Sequence, residues 1–188
     1  MKKIGITGSL ASGKTSASKY LSAKRGPLFS ADAVVKKLYR DKNFKSLISK
    51  KFEIDNNSNI KSTIKEKIIK DAKNIKKLEK IIHPFVRKKM KIFIKKNQKK
   101  DFIFFEIPLL IESKLMKYFD IIFFIKANKK TRLQRFRFKG GNKKLFNILN
   151  NKQFNDLQKI KHCDHIVVNE KNLRILKKNL SDIFSQYE

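Results

Sequence analysis

One cysteine, no tryptophan, three prolines and six glycines in 188 residues remove several classes of protein at once. Cys163 alone can form neither an intramolecular disulfide nor a multi-cysteine zinc site, so the expected setting is reducing and cytoplasmic. Long apolar runs are missing too. The best of them, Phe102 to Ile111, is interrupted by Glu106 and Pro108 and falls short of the roughly 18 residues that cross a bilayer, so no membrane span is expected. The start, Met1-Lys2-Lys3 followed by apolar residues, meets glycines and Lys14 before a signal-peptide core can form, and reads as a first strand. Acids are scarce: 16 Asp+Glu face 47 Lys+Arg, for a formal net charge of +31.

That excess makes nucleic acid the first partner to consider, because Lys and Arg neutralise phosphate. Yet 40 of the basic residues are Lys, only seven are Arg, and they spread along almost the whole chain beside abundant Asn, Ile and Phe. This pattern reads as a solvated lysine surface with a compositional bias, and no zinc-finger spacing or aromatic RNA-binding motif accompanies it. No specific nucleic-acid partner is expected. The oligomeric state stays open between a monomer and a weak homo-oligomer.

The length fits one domain. Lys3 to Thr7 predicts a short buried strand, Lys14 to about Ala23 a helix, Leu28-Phe29 a second strand, and Ala31 to Arg40 a helix with Val34, Val35 and Leu38 on one face. From Phe44 to about Lys100 the pattern is helical with polar breaks; Pro84 should kink or restart the last of these helices, and Asp55 to Asn59 should be a surface loop. Phe102 to Phe105 and Ile121 to Ile125 are uninterrupted apolar strands, as strands buried on both faces of a parallel sheet should be. Residues 129 to 160 look helical around a Gly140-Gly141 break, Ile166 to Val168 is a last strand, and Leu173 to Phe184 an amphipathic helix. The alternation predicts an α/β, three-layer fold on a parallel β-sheet core, with a helical subdomain.

Gly8-Ser9-Leu10-Ala11-Ser12-Gly13-Lys14-Thr15 satisfies G-x-x-x-x-G-K-[ST] between a predicted strand and a predicted helix. Backbone N–H groups of such a loop wrap a triphosphate and the helix dipole adds positive potential. Lys14 should reach the β and γ phosphates, and the Thr15 hydroxyl should serve Mg²⁺. The expected ligand is ATP as co-substrate, with Mg²⁺.

Three features bear on where the phosphoryl group goes. Asp32 follows the second strand, where a carboxylate can deprotonate an acceptor hydroxyl; it can equally cap the next helix. Glu106 ends the third strand, where P-loop proteins carry a metal-directed acid; a solvent-facing carboxylate is the alternative, and its being the only charge between Phe102 and Ile111 favours the first. Arg132, Arg135 and Arg137 lie within six residues, as a flap needing planar donors for phosphate or adenine would require; a solvated basic helix is the alternative. His162-Cys163-x-His165 lacks structural zinc spacing and reads as a loop entering the last strand.

With the P-loop, Ser30-Ala31-Asp32, Ile82-His83-Pro84, Pro108-Leu109-Leu110-Ile111-Glu112, Thr131 to Arg135, Gln153, and Cys163-Asp164 through Asn169 in this order, the chain resembles the dephospho-CoA kinases. The resemblance implies an enzyme, a phosphotransferase that moves phosphate from ATP to the ribose 3′-hydroxyl of dephospho-CoA in the last step of coenzyme A synthesis. It implies a nucleoside-monophosphate-kinase-like core at about 1–42, 101–135 and 161–188, a helical CoA-binding subdomain at about 43–100 and a lid at about 136–155. It maps ATP binding to residues 8 to 15, the catalytic base to Asp32, acceptor contacts to Asp32, His83, Pro108, Leu109 and Leu110, and a phosphate-facing lid arginine to Arg135. Catalysis thus rests on Asp32, Lys14 and Arg135, and metal binding on Thr15 with Glu106 as a second candidate. The chain departs from the family pattern at Ser30, where an Asp is usual, at Lys139, where a second arginine is usual, and at Ser9 and Ala11, where glycines are usual; Lys61 is the nearest match to an arginine before the long helix. Other nucleoside or nucleotide kinases are the rivals among enzymes, and a nucleic-acid-binding P-loop ATPase is the rival from another class.

Overall fold

A computed structural model describes residues 1–55 and 59–188. The chain divides into two compact units, one made of Met1–Ser30 with Phe93–Glu188, the other of Ala31–Ile92.

The first unit is built on five strands: β1 (Lys2–Gly8), β2 (Leu28–Ser30), β3 (Phe102–Glu106), β4 (Ile121–Lys126) and β5 (His165–Val168). They pair in the order β2-β3-β1-β4-β5, and every pairing is parallel. β1 lies in the middle, with Ile4 opposite Phe104 on one side and Ile121 on the other. The apolar runs Phe102–Phe105 and Ile121–Ile125 need cover on both faces, and they have it. On one face α1 (Lys14–Ser22) and α9 (Leu173–Phe184) set Ala17, Leu21, Leu176, Leu180 and Phe184 against Ile4, Ile6, Phe104, Phe123 and Ile125, all nearly or fully buried. Phe184 is the hub, with its ring 5.3–6.4 Å from those of Phe102, Phe104, Phe123 and Tyr187. On the other face Phe105 meets Phe29, Phe93 and Phe119. This is the three-layer parallel architecture that the alternating elements predict.

Three more α-helices lie wholly in this unit, α6 (Lys129–Phe138), α7 (Lys143–Lys152) and α8 (Asp156–Ile160). The break between α6 and α7 falls at Gly140-Gly141, where the Phe136 ring lies against Gly141 and 5.6 Å from the Phe146 ring. A second break, at residues 153–155, is absent from the sequence reading of 129–160 as one helical stretch. Its signal is Asn155 with Gln158 three residues on, a reciprocal capping box that starts α8.

The second unit consists of α2 (Ala31–Leu38), α3 (Lys42–Phe52), α4 (Ile60–Lys70) and most of α5 (Lys73–Lys96). Asp41 caps α3 by accepting from the Phe44 N–H, and Asn59 caps α4 by accepting from Lys61 and Ser62. Phe44, Ile48, Phe52, Ile64, Ile68, Ile75 and Ile82 are buried, and Phe44 makes edge contacts with Tyr39 and Phe85. Pro84 does not restart a helix: α5 runs through it from Lys73 to Lys96. Proline removes one backbone donor, while buried Ile75, Ile82 and Met90 secure both halves of a helix of 24 residues. Of the loop expected at 55–59, residues 56–58 lie outside the described residues. Among the described residues no helix is long and apolar enough to cross a membrane.

Candidate active site

The loop between β1 and α1 owes its shape to its two glycines. Gly8 has φ +150°, and a Cβ there would stand 2.3 Å from the Ile125 carbonyl oxygen; Gly13 has φ +101°, and its Cβ would stand 2.1 Å from Asn169 Nδ2. Neither place admits a side chain. Ala11, between them, holds φ +59°, a left-handed conformation uncommon outside glycine. Gly13 precedes α1 without a side-chain cap, and the helix carries no acid of its own in the first turn, so its positive end faces the loop.

Two side chains of the motif are held at this mouth. Lys14 is buried, and its Nζ donates to the carbonyl oxygens of Gly8 and Ser9 at 3.0 and 2.9 Å. Thr15 Oγ1 donates to Glu106 Oε1 at 2.5 Å. Glu106 is 2 % exposed, which removes the solvent-facing alternative for it. The register explains the meeting: Glu106 ends β3 opposite Ile6 of β1 and Ser30 of β2, at the edge of the sheet from which the P-loop springs.

The three arginines of α6 part company. Arg132 is buried over the Phe146 ring and donates to Ala127 O, Leu10 O and Asn150 Oδ1, so it braces the fold from inside. Arg135 donates to Ser12 O at 3.3 Å, beside the amide of Asn169, which donates to the same oxygen at 2.9 Å. Arg137 is exposed. They form neither a single phosphate-facing cluster nor a wholly solvated helix. An open cavity of ≈ 550 Å³ extends from the loop here, lined by Ala11, Gly13, Ser16, Arg135, Phe138, Lys139, Asn169 and Leu173 among others.

On the other side of the loop, the Thr7 hydroxyl donates to Pro108 O at 3.3 Å. Pro108 and Leu109 are half-buried; Leu110 is fully buried, packed on the backbone at Gly5. What Leu110 can offer a ligand is therefore its backbone. The other two predicted acceptor residues belong to the helical unit. Asp32 is exposed and is the second residue of α2, within its first turn rather than ahead of it as a capping residue would be. His83 lies in α5, where burial and then the charge of Arg87 hold its imidazole below the usual histidine range.

Residues that do not figure among the predicted contacts also reach the loop. Asn169 binds Ser12 O, Gln153 Oε1 accepts from the Leu10 N–H at 3.1 Å, and Asp156 accepts from the Ser9 hydroxyl. Asn169 and Gln153 are landmarks of the family order, but a landmark carries no partner with it. The loop that leads into β5, His162 to Asp164, spends its groups on structure: Cys163 Sγ donates to Lys159 O, the Asp164 carboxylate accepts from the Ile122 N–H, and the next residue, His165, bonds the Tyr187 hydroxyl.

A parallel sheet in this order, with a glycine-framed phosphate loop at the end of its central strand and an acid on the neighbouring strand facing the loop's threonine, defines a P-loop kinase-type fold. The dephospho-CoA kinase family model matches residues 2–174. The chain is 35 % identical over 178 residues to the dephospho-CoA kinase of Bartonella quintana, covering 92 % of this chain and 91 % of that one. It is 32 % identical over 189 residues to that of Rickettsia conorii, covering 100 % and 98 %. The structure of the dephospho-CoA kinase from Campylobacter jejuni superposes with a TM-score of 0.62 at 20 % identity, over 98 % of this chain and 96 % of that one, which shows the shared fold. The chain belongs to the dephospho-CoA kinase family.

Proposed function

We propose that this chain, in the cytoplasm, transfers the γ-phosphoryl group of ATP to the 3′-hydroxyl of the dephospho-CoA ribose, releasing coenzyme A and ADP. The observation that carries the transfer chemistry is the contact of Thr15 with the buried Glu106 at the mouth of a P-loop. Family membership supports the choice of acceptor.

The N–H groups of the P-loop that the fold does not already engage, with the N-terminus of α1, receive the phosphates, while the Leu10 N–H stays on Gln153; Lys14 exchanges its carbonyl partners for β- and γ-phosphate oxygens. Thr15 and Glu106 supply hard oxygen donors of the kind Mg²⁺ takes, one hydroxyl and one carboxylate, which leaves the remaining positions to water and phosphate. These two residues would hold the ion, whose bound charge offsets that of the phosphates. Asp32 takes the proton of the acceptor hydroxyl; the oxygen so freed bonds to the γ-phosphorus as the bond to the bridging β–γ oxygen breaks, and ADP departs. Arg135 faces the transferring group with a planar, cationic fork of donors suited to phosphate oxygens. His83, Pro108, Leu109 and Leu110 contact the acceptor, residues 43–100 supply its CoA-binding surface, and residues 136–155 act as the lid that keeps water away from ATP.

The test is ADP release with Mg²⁺-ATP in the presence of dephospho-CoA, AMP, adenosine, RNA or no acceptor, with the mass of the product determined. A gain of one phosphate on dephospho-CoA alone is expected; turnover with RNA or another nucleotide in its place would overturn the reading. In the same assay Lys14→Ala and Asp32→Asn should each lower kcat on the order of 10²-fold or more without loss of fold. Full activity in Asp32→Asn would remove that carboxylate from the mechanism.

A further inference from the structure

The crest of the phosphate loop, residues 9 to 11, is held from outside by the segment that follows α7. Leu10 is gripped at both of its backbone polar atoms: its N–H donates to Gln153 Oε1 at 3.1 Å, and its carbonyl accepts from Arg132 at 3.4 Å. The Ser9 hydroxyl bonds Asp156, and Ala11 holds its left-handed φ of +59°. That conformation is strained for a residue with a Cβ. The crest therefore keeps its shape through partners far away in sequence.

What holds Gln153 is a fully buried lysine. Lys159, 0 % exposed, donates to the same Gln153 Oε1 at 3.2 Å and pairs with Glu112 Oε1 at 2.8 Å. Glu112 Oε1 also accepts from the Phe154 N–H at 3.1 Å, while its second oxygen is buried with no partner among the described residues. An ion pair with an orphaned oxygen is a poor stabiliser, and packed apolar side chains would serve stability as well or better. Its place says more than its strength. It joins the segment 153–159, which carries the loop's partners Gln153 and Asp156, to the end of the 108–112 loop, whose Pro108 accepts from Thr7 just ahead of the P-loop.

We propose that Lys159 is a positioning residue for phosphoryl transfer. By fixing the Gln153 carbonyl oxygen on the Leu10 N–H, and by tying that segment to Glu112, it holds the crest of the P-loop in the form that receives ATP. Lys159 acts through Gln153, with which it shares a hydrogen bond. The inference rests on the kinase reading only in taking ATP to be the ligand of the loop.

The experiment is a double-mutant cycle of Lys159→Met and Gln153→Leu in the full chain, read as ATP affinity by titration calorimetry, with Tm measured alongside and steady-state KM values for both substrates. Each single change should weaken ATP binding about tenfold, and the double should be no weaker than the poorer single within about twofold, because both remove one linkage. KM for the acceptor should change less than KM for ATP. Additive losses, or ATP affinity unchanged in Lys159→Met while Tm falls, would overturn the proposal and leave Lys159 a structural residue. Gln153 is only half-buried, so Gln153→Leu decides the matter should Lys159→Met not fold: unaltered ATP affinity in that variant also overturns it. ATP titration needs no acceptor, so an unphosphorylated dephospho-CoA in the wild-type assay would strike the functional reading and leave this one standing.

Discussion

Thr15 and Glu106 stand 91 positions apart in the chain, yet their side-chain oxygens approach to 2.5 Å. A helix start and a strand end meet there because β1 and β3 are neighbours in register. The pair brings a hydroxyl and a carboxylate together at the mouth of the P-loop, where the proposed reaction calls for a cation.

Glu106→Gln tests that assignment without disturbing shape, since the amide oxygen can still accept from Thr15. We expect kcat to fall on the order of 10²-fold, the scale seen when a charge-stabilising group is lost, and the Mg²⁺ concentration for half-maximal rate to rise. A rate and a Mg²⁺ profile unchanged from wild type would leave Glu106 as a structural partner of Thr15 alone.

Two loop positions should respond with opposite signs. Gly13→Ala places a methyl 2.1 Å from Asn169 at φ +101°, and should destabilise by about 1–3 kcal/mol while weakening nucleotide binding. Ala11→Gly relieves a left-handed residue, and should stabilise by about 0.5–1 kcal/mol, the conformational relief less the entropy glycine loses on folding. Chemical denaturation of the two variants checks both signs, and a stabilised Gly13→Ala would contradict the loop geometry.

Cys163 should be a poor nucleophile. Burial pushes its thiol up to about 12, with the Asp164 charge adding and Lys159 opposing, and its Sγ is engaged with Lys159 O. Because the thiolate is the reactive form, alkylation at pH 8 should run on the order of 10²-fold or more below that of free cysteine and recover on denaturation. Rapid stoichiometric labelling of the folded protein would refute this.

The sequence was most legible where local chemistry and final environment agree. The β1–P-loop–α1 unit, the unbroken runs of β3 and β4, and both ends of α9 follow directly from composition and period. Pro84 does not restart the helix because a backbone rule competes with buried Ile75, Ile82 and Met90 on the same helix, and packing carries the helix through it. Arg132 and Lys159 were illegible for a different reason. A lysine or arginine on a basic helix looks solvated unless its partner is known, and the partners here, Leu10, Asn150 and Glu112, come from distant segments. Glu106 was half legible: its position at a strand end is written in the sequence, whereas its burial against Thr15 depends on which strand lies next to which.

The order of the sheet also sets an order in time. β1 leaves the ribosome first, yet both of its hydrogen-bonding neighbours, β3 and β4, begin only at Phe102 and Ile121. At the usual 5–20 residues per second of synthesis, the central strand waits roughly 5–20 s for a partner. The helices of residues 31–92, with their own buried Phe44, Ile48 and Phe52, emerge in that interval and can compact locally. The frame of the phosphate loop therefore cannot be complete before β3 and β4 have emerged.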